Sequence, residues 1–379
     1  MKIAITGGGT GGSITPLIAI YQELKKQGDF CIFIGGRSTI EKDFADENDI
    51  PFFSIISGKL RRYFDWNNIL SPLFLVIGFF QALYRLIKER PNIVIAAGSF
   101  VSVPVVWASW FLRIPSLVHQ LDLKKGLANA LMTPFAKTIT VTFPASLKDF
   151  PRKKAVLTGN PIRKDVFSGD THQARQTFNL KEGLPTVLIL GGGTGALAIN
   201  KILNHSLESL VSFCQIIHIA GKGKNIFQNE KFKETYRPQT LNTVLSNGQT
   251  TLSENKELEH YHVYEFLSDE LKHAFKIADL VVSRAGISTL TELAALGKPL
   301  IIIPLPNSHQ EKNASYFERE GAALVLDQNL LNPELFTNFI YDLLKNKDKR
   351  QELSANVKKL FYPDAAEKIA AEIYKITKK

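Results

Sequence analysis

Two stretches of this sequence put glycines where a phosphate could be held. Gly7-Gly8-Gly9-Thr10-Gly11-Gly12 follows the apolar run Ile3-Ala4-Ile5-Thr6, and Gly191-Gly192-Gly193-Thr194-Gly195-Ala196 follows Leu188-Ile189-Leu190. Both fit the G-x-G-x-x-G/A fingerprint of a strand, tight turn and helix. Glycine lets the backbone approach a ligand closely, and the following helix offers unpaired N–H groups and a positive dipole end to an anion. Taken singly, either loop also fits a turn that binds nothing. A dinucleotide site needs in addition an acid about 20 residues on, to hold a ribose. Here the second strand of the first unit ends Ile34-Gly35-Gly36, followed by Arg37, and nothing nearby supports hydride transfer.

A third constellation runs from Ala278 to Glu292 and from Pro304 to Ala314. A strand ending at Ser283, a small-residue turn and a helix starting near Ser288 again suit a diphosphate. Glu292 sits about one turn into that helix, where a carboxylate can accept both hydroxyls of a ribose. Thr289-x-x-Glu292 equally reads as a capping box. Gln310 and Asn313 can bond sugar hydroxyls, and His309 belongs either with them or on the surface of its loop.

Positioning these groups requires strands that end together. Candidate strands are Lys2–Thr6, Phe30–Ile34, Ile93–Ala97, Ser116–His119 and Thr138–Thr142. The pattern then restarts with Thr186–Leu190, Gln215–Ala220, His262–Tyr264, Leu280–Ser283, Leu300–Pro304 and Ala323–Leu326. Alternation of short apolar runs with helix-period segments implies parallel sheets covered on both faces. The restart predicts two α/β domains, with a boundary near Gly159-Asn160-Pro161 and a final amphipathic helix over Ala365–Lys378.

The net charge of +10 suggests phosphate-bearing partners. Basic groups stand at Lys59, Arg61 and Arg62, at Lys124 and Lys125, and at Arg152, Lys153 and Lys154, but no nucleic-acid-binding signature accompanies them. Cys31 and Cys214 form no disulfide framework or zinc spacing, which fits a reducing compartment. The start Met1-Lys2-Ile3 runs into glycines too early for a signal peptide. Trp66–Tyr84 carries no charge and has the length of a spanning helix. Pro72, Gly78 and its amide and hydroxyl side chains oppose spanning. Flanking Lys59, Arg61, Arg62, Arg85 and Lys88 favour a helix dipping into an anionic membrane interface, with ordinary core as the other reading. Trp107, Trp110 and Phe111 extend that patch.

Taken in order, Gly8–Gly12, Gly98–Pro104, Thr158–Arg163, Gly191–Ala196, Ala220–Gly223, Ser283–Glu292 and His309–Ala314 resemble the MurG family of peptidoglycan N-acetylglucosaminyltransferases over essentially the whole chain. The resemblance implies a GT-B fold: two Rossmann-like α/β domains whose parallel sheets face an interdomain cleft, the last helix crossing back. Residues 163–349 would bind UDP-N-acetylglucosamine. Residues 1–162 plus 350–379 would receive the undecaprenyl-pyrophosphate-linked muramyl peptide, at the cytoplasmic face of the plasma membrane as a peripheral protein. Carried over by motif position, Arg163, Gly193 and Thr194 face the diphosphate, the Leu267 backbone the uracil and Glu292 the ribose. The Ile287 backbone and Gln310 meet the sugar, and Thr10, Gly11, Gly12 and Ser13 the acceptor. No cofactor is implied, and the absence of a D-x-D motif implies no obligate metal.

The reaction so implied is inverting: the 4-hydroxyl of muramic acid attacks the anomeric carbon and UDP leaves. The diphosphate needs amides and a cation, and the hydroxyl needs a base, worth roughly 3–5 kcal/mol. The family usually places a histidine after the first glycine loop, where this chain has Ser13. The family's His-Glu-Gln-Asn stretch reads His119-Gln120-Leu121-Asp122. Asp122 is therefore the candidate base and His119 the second choice, with sugar binding or turn capping as the other role for Asp122. These departures also leave open a different lipid or glycan acceptor, or a protein that binds a nucleotide sugar without turning it over.

Overall fold

The computed structural model describes residues 1–9, 11–36, 39–58, 66–192, 195–221 and 259–378, and of 11, 39, 40 and 66–72 the backbone alone. The chain divides into two compact units, Met1–Arg163 with Tyr362–Lys379, and Lys164–Phe361.

In the first unit β1 (Lys2–Gly7), α1 (Gly11–Lys26), β2 (Phe30–Gly35), α2 (Thr39–Glu47) and β3 (Phe52–Ser54) form one half. The other half is α3 (Trp66–Glu89), β4 (Ile93–Ala97), α4 (Ser102–Phe111), β5 (Ser116–Gln120), α5 (Leu127–Met132), β6 (Thr138–Val141) and β7 (Ala155–Leu157). The strands pair in the order β3-β2-β1-β4-β5-β6-β7, and all pairings are parallel, as in Ile5 against Phe33 and Ile95. Continuous apolar strands such as Ile93–Ala97 are buried throughout, because helices cover both faces of the sheet. The edge strands β3 and β7 escaped the sequence reading, being three residues each.

The second unit contains α6 (Thr171–Phe178), β8 (Thr186–Leu190), α7 (Leu197–Val211), β9 (Gln215–Ile219), β10 (Tyr261–Tyr264), α8 (Leu271–Ile277) and β11 (Leu280–Ser283). It continues through α9 (Ile287–Leu296), β12 (Leu300–Ile302), α10 (Gln310–Arg319), β13 (Leu324–Val325), α11 (Pro333–Lys345) and α12 (Lys347–Lys358). Its sheet runs β10-β9-β8-β11-β12-β13. Each sheet thus reverses direction beside its first strand, between β1 and β4 and between β8 and β11. Such switch points open a crevice at the carboxyl ends of the strands.

The return to the first unit comes at Tyr362, later than the expected 350. Helix α12 stays with the second unit: Leu353 and Val357 are buried there, and Ser354 Oγ donates to Gly297 O at 2.6 Å. Arg163, expected to open the second domain, ends the first unit. The last helix, α13 (Ala365–Thr377), places Ile369, Ala370 and Ile373 in one core with Leu17, Ile20 and Leu24 of α1.

Among the described residues no helix is long and apolar enough to cross a membrane. Helix α3 buries Leu75, Ala82 and Leu86 and turns Leu73, Val76, Phe80, Tyr84 and Ile87 to solvent. A Cβ on Gly78 would lie 2.2 Å from Ile56 O, so glycine is what lets α3 seat that closely.

Candidate active site

In the second unit the loops after β8, β9, β10, β11 and β12 leave one edge of the sheet. Gly191 follows β8, and a Cβ there would lie 2.3 Å from Ala196 N. Gly195 has φ 68°, and a Cβ there would lie 2.3 Å from Ala220 O, so the glycine loop and the turn after β9 are in contact only because this residue is glycine. Asn200 Nδ2 donates to Ala220 O at 3.0 Å. His218 fixes Asn200 in turn, with Nε2 at 3.1 Å from Asn200 Oδ1 and Nδ1 at 2.8 Å from Tyr261 OH. Burial lowers the His218 pKa to about 3, so the imidazole works as a neutral strut. A Cβ on Gly192 would meet nothing within 4 Å, which leaves open space at the loop. Gly193 and Thr194 lie outside the described residues.

After β11 the helix α9 begins at Ile287 with Gly286 as its N-cap and no side-chain cap. This corrects the capping-box reading of Thr289 and Glu292: Thr289 lies inside the first turn, because the backbone at Gly286 (φ −77°, ψ 120°) already makes the entry. Gly286 supplies no side-chain cap to the first turn of α9, and a Cβ on it would meet nothing within 4 Å. Glu292 is buried on α9. Ile287 and Leu267 are buried as well.

Arg284 joins this edge together. Its Nη1 donates to Ile303 O and Pro304 O, both at 3.0 Å, and its Nη2 to Gln328 Oε1 at 2.5 Å. It thereby holds the segment that carries Gln310. Gln310 Oε1 accepts Leu305 N at 3.0 Å, which leaves its Nε2 as the group suited to a sugar oxygen. Asn313 does not have the sugar-facing role considered for it: it is buried and its Nδ2 donates to Ala285 O at 3.1 Å, bracing the turn before α9. His309 is exposed at the start of α10.

In the first unit the loop after β1 leads to α1 at Gly11; Thr10 lies outside the described residues, as do Arg37, Lys59, Arg61 and Arg62. Ser13 Oγ donates to Gly8 O at 2.8 Å, so its hydroxyl braces the loop. Glu41, which the sequence reading passed over, is buried beneath the same turn. Its Oε1 accepts Gly9 N at 2.7 Å and its Oε2 is buried with no hydrogen-bond partner. Gly8 has φ +146°, and a Cβ there would lie 1.6 Å from Glu41 Oε1. The only signal for Glu41 was its place in the helix after the second strand, and a carboxylate on an amphipathic helix normally faces water.

At the end of β5 the second-choice base is overturned. His119 is fully buried, with Nδ1 at 2.9 Å from Thr140 Oγ1 and Nε2 at 3.2 Å from Asn160 Oδ1. Burial lowers its pKa to about 4, against the opposing effect of the Asn160 bond. An imidazole with both nitrogens engaged inside the sheet does not reach a substrate proton; it ties β5 to the segment Gly159-Asn160-Pro161. Asp122 is only half-buried, on a loop with a fixed backbone. Gln120 Nε2 donates to Asp122 O at 2.7 Å and Lys124 O at 2.9 Å, and Ser146 Oγ to Leu123 O at 2.8 Å. Gln120 Oε1 is held by Asn129 Nδ2 at 2.6 Å. Arg163 is half-buried just beyond Asn160.

The glycosyltransferase family 28 N-terminal domain matches residues 3–141, and the glycosyltransferase family 28 C-terminal domain matches residues 186–369. A UDP-N-acetylglucosamine--N-acetylmuramyl-(pentapeptide) pyrophosphoryl-undecaprenol N-acetylglucosamine transferase of Clostridium perfringens (strain SM101 / Type A) is 39% identical over 352 residues, covering 92% of this chain and 91% of that protein. Its counterpart in Legionella pneumophila (strain Paris) is 36% identical over 377 residues, covering 98% and 96%. Acinetobacter baumannii MurG superposes with a TM-score of 0.70 at 24% identity, covering 99% of each chain. That likeness is one of fold: two doubly wound parallel-sheet units of the GT-B type.

Proposed function

Since the chain belongs to the MurG family within glycosyltransferase family 28, we propose that it catalyses the reaction its relatives are named for. It moves N-acetylglucosamine from UDP-N-acetylglucosamine to the muramyl peptide carried on undecaprenyl pyrophosphate, turning lipid I into lipid II for peptidoglycan. The observation that carries this reading is the convergence at the β8–β11 switch point. The Gly191–Gly192 turn, the Ala220–Gly221 turn, the start of α9 and Glu292 all belong to loops and helices leaving one sheet edge.

The residues divide as the chemistry requires. Amides of the second glycine loop and of the α9 start, with Gly193, Thr194 and Arg163, stabilise the departing diphosphate. The Leu267 backbone reads the uracil and Glu292 the ribose. The Ile287 backbone and Gln310 orient the sugar. The acceptor is received by Thr10, Gly11, Gly12 and Ser13 of the first glycine loop and by the loop after β5. Asp122 takes the proton of the attacking hydroxyl, and inversion follows from attack opposite the leaving UDP. In support of Asp122, its loop is held by three side-chain hydrogen bonds, from Gln120 and Ser146, and Ser13 already spends its hydroxyl on Gly8 O.

The protein works as a peripheral protein at the cytoplasmic face of the plasma membrane. The support is the outward stripe of α3 with Trp110 and Phe111, all more than half exposed. A stripe of that kind beside basic residues suits an anionic interface, each cation adding about 1 kcal/mol.

The test is UDP release measured with lipid I, with other polyprenyl-linked or glycan acceptors, and with none. Release that depends on lipid I supports the reading. Release only with another acceptor reassigns the acceptor, and UDP-sugar uptake without release under any condition leaves a binding protein.

A further inference from the structure

We infer that Glu41 is a positioning residue for the acceptor: its carboxylate fixes the direction in which the Gly8–Gly9 peptide of the first glycine loop faces. Both ends of that peptide are held by side chains. Its carbonyl, Gly8 O, accepts from Ser13 Oγ at 2.8 Å, and its N–H, on Gly9, donates to Glu41 Oε1 at 2.7 Å. Gly8 is buried and Gly9 is exposed, so the peptide lies at the surface of the loop, where water or a ligand could take the N–H. Glu41 takes it from the inside instead, at 1% exposure. The inference rests on the reading that this loop receives the acceptor.

A peptide between two glycines turns over at little steric cost. Turning it over exchanges the places of its carbonyl and its N–H. Which orientation wins depends on the side chains at its two ends. A serine hydroxyl both donates and accepts, so Ser13 can serve either orientation. A carboxylate only accepts. With the peptide reversed, Gly8 O would face Glu41 Oε1, two acceptors with no proton between them. The carboxylate therefore admits one orientation, and it holds that orientation with a charge-assisted bond.

Glu41 is ill placed for stability alone. Its Oε2 is buried with no hydrogen-bond partner among the described residues, and burying a half-satisfied carboxylate is costly. Gly8 is shaped around it, with φ +146° and room for no Cβ, which would lie 1.6 Å from Oε1. A side chain that only filled the space beneath the turn would be apolar, as Phe44 and Ala45 further along α2 are. What a carboxylate adds over an apolar group of that size is the direction of one hydrogen bond. That direction fixes the path of the chain from β1 towards α1. Thr10, Gly11, Gly12 and Ser13, which receive the acceptor on that reading, come directly after the fixed peptide.

The test compares wild type, Glu41→Gln and Ser13→Ala as full-length proteins. Glutamine keeps the size of Glu41, and its amide can donate or accept, so it serves both orientations. Glu41→Gln should raise the KM for lipid I at least threefold, because only a fraction of the molecules then holds the competent loop. The KM for UDP-N-acetylglucosamine and the thermal midpoint should not change. Hydrogen exchange of the Gly9 amide, followed by NMR, reads the orientation itself. The amide should be protected in wild type and in Ser13→Ala, stay protected when lipid I binds, and lose at least threefold of its protection in Glu41→Gln. An unchanged KM for lipid I in Glu41→Gln, or an equal rise in both KM values, overturns the positioning role. So does a wild-type Gly9 amide that exchanges freely or that lipid I releases, a measurement that needs no variant to fold. Loss of protection in Ser13→Ala alone would hand the choice of orientation to the hydroxyl and likewise overturn it. A wild-type chain that releases UDP without any acceptor removes the reading of this loop as the acceptor's, while exchange of Gly9 still decides which way the peptide faces.

Discussion

Glu41 Oε1 accepts the backbone N–H of Gly9 at 2.7 Å, so the first glycine loop holds a carboxylate of the protein itself. Replacement of Gly8 by Ala puts a methyl group onto Glu41 and forces φ +146° on a side-chain-bearing residue, a strain of about 1–3 kcal/mol. Gly8→Ala should lower acceptor-dependent turnover by at least tenfold while calorimetry finds UDP-N-acetylglucosamine uptake unchanged. Loss of nucleotide uptake instead would mean that the first loop serves the donor.

Exchange of Asp122 for Asn keeps the shape of the loop after β5 and removes its proton acceptor. Turnover should fall at least a hundredfold, about 3 kcal/mol, with little change in the KM for the donor. Near-normal turnover in Asp122→Asn removes Asp122 as the base.

Burial lowers the pKa of His119 to about 4 and of His218 to about 3, from 6.5. In both cases the unfolded chain takes up the proton more readily than the folded one. Stability is therefore complete above about pH 6.5 and declines as the pH falls towards 4, by about 2 kcal/mol per histidine at pH 5. One histidine lies in each unit, so hydrogen exchange of the β5 and β9 amides at pH 7.5 and pH 5, corrected for intrinsic rates, should show weakened protection in both. Unchanged protection would contradict neutral buried imidazoles.

Arg284→Ala leaves Ile303 O and Pro304 O without their donor, a cost of roughly 3 kcal/mol for buried carbonyls. A lower denaturant midpoint and a raised KM for UDP-N-acetylglucosamine are expected together, because the same guanidinium holds the segment leading to Gln310. A raised KM without loss of stability would point to direct contact with the donor.

Phe80→Asp places a charge at the centre of the exposed stripe of α3. Losing one inserted aromatic costs about 1.5–3 kcal/mol, so co-sedimentation with anionic vesicles should drop at least tenfold and UDP uptake should not change. Equal sedimentation of variant and wild type would turn the stripe into a surface for something other than lipid.

Much of this molecule is written locally. Continuous apolar runs such as Ile93–Ala97 and Thr186–Leu190 could only be buried strands, and glycine loops at Gly7 and Gly191 could only follow them, so two doubly wound units were legible from the chain. The family was legible too, because it rests on ordered motifs rather than on contacts. What the sequence did not contain is the set of partners met across the fold. Whether His119 is a base or a strut depends on Thr140 and Asn160, and whether Asn313 meets a sugar or a carbonyl depends on Ala285. Glu41 looked like one more acid on a helix until packing carried it beneath Gly9. Helix α9 found its cap in the conformation of Gly286 and not in the side chain of Thr289. A polar side chain has the same local signature whether it faces water, a ligand or a buried carbonyl, and only tertiary packing chooses among them, since burial makes an unmet hydrogen bond costly.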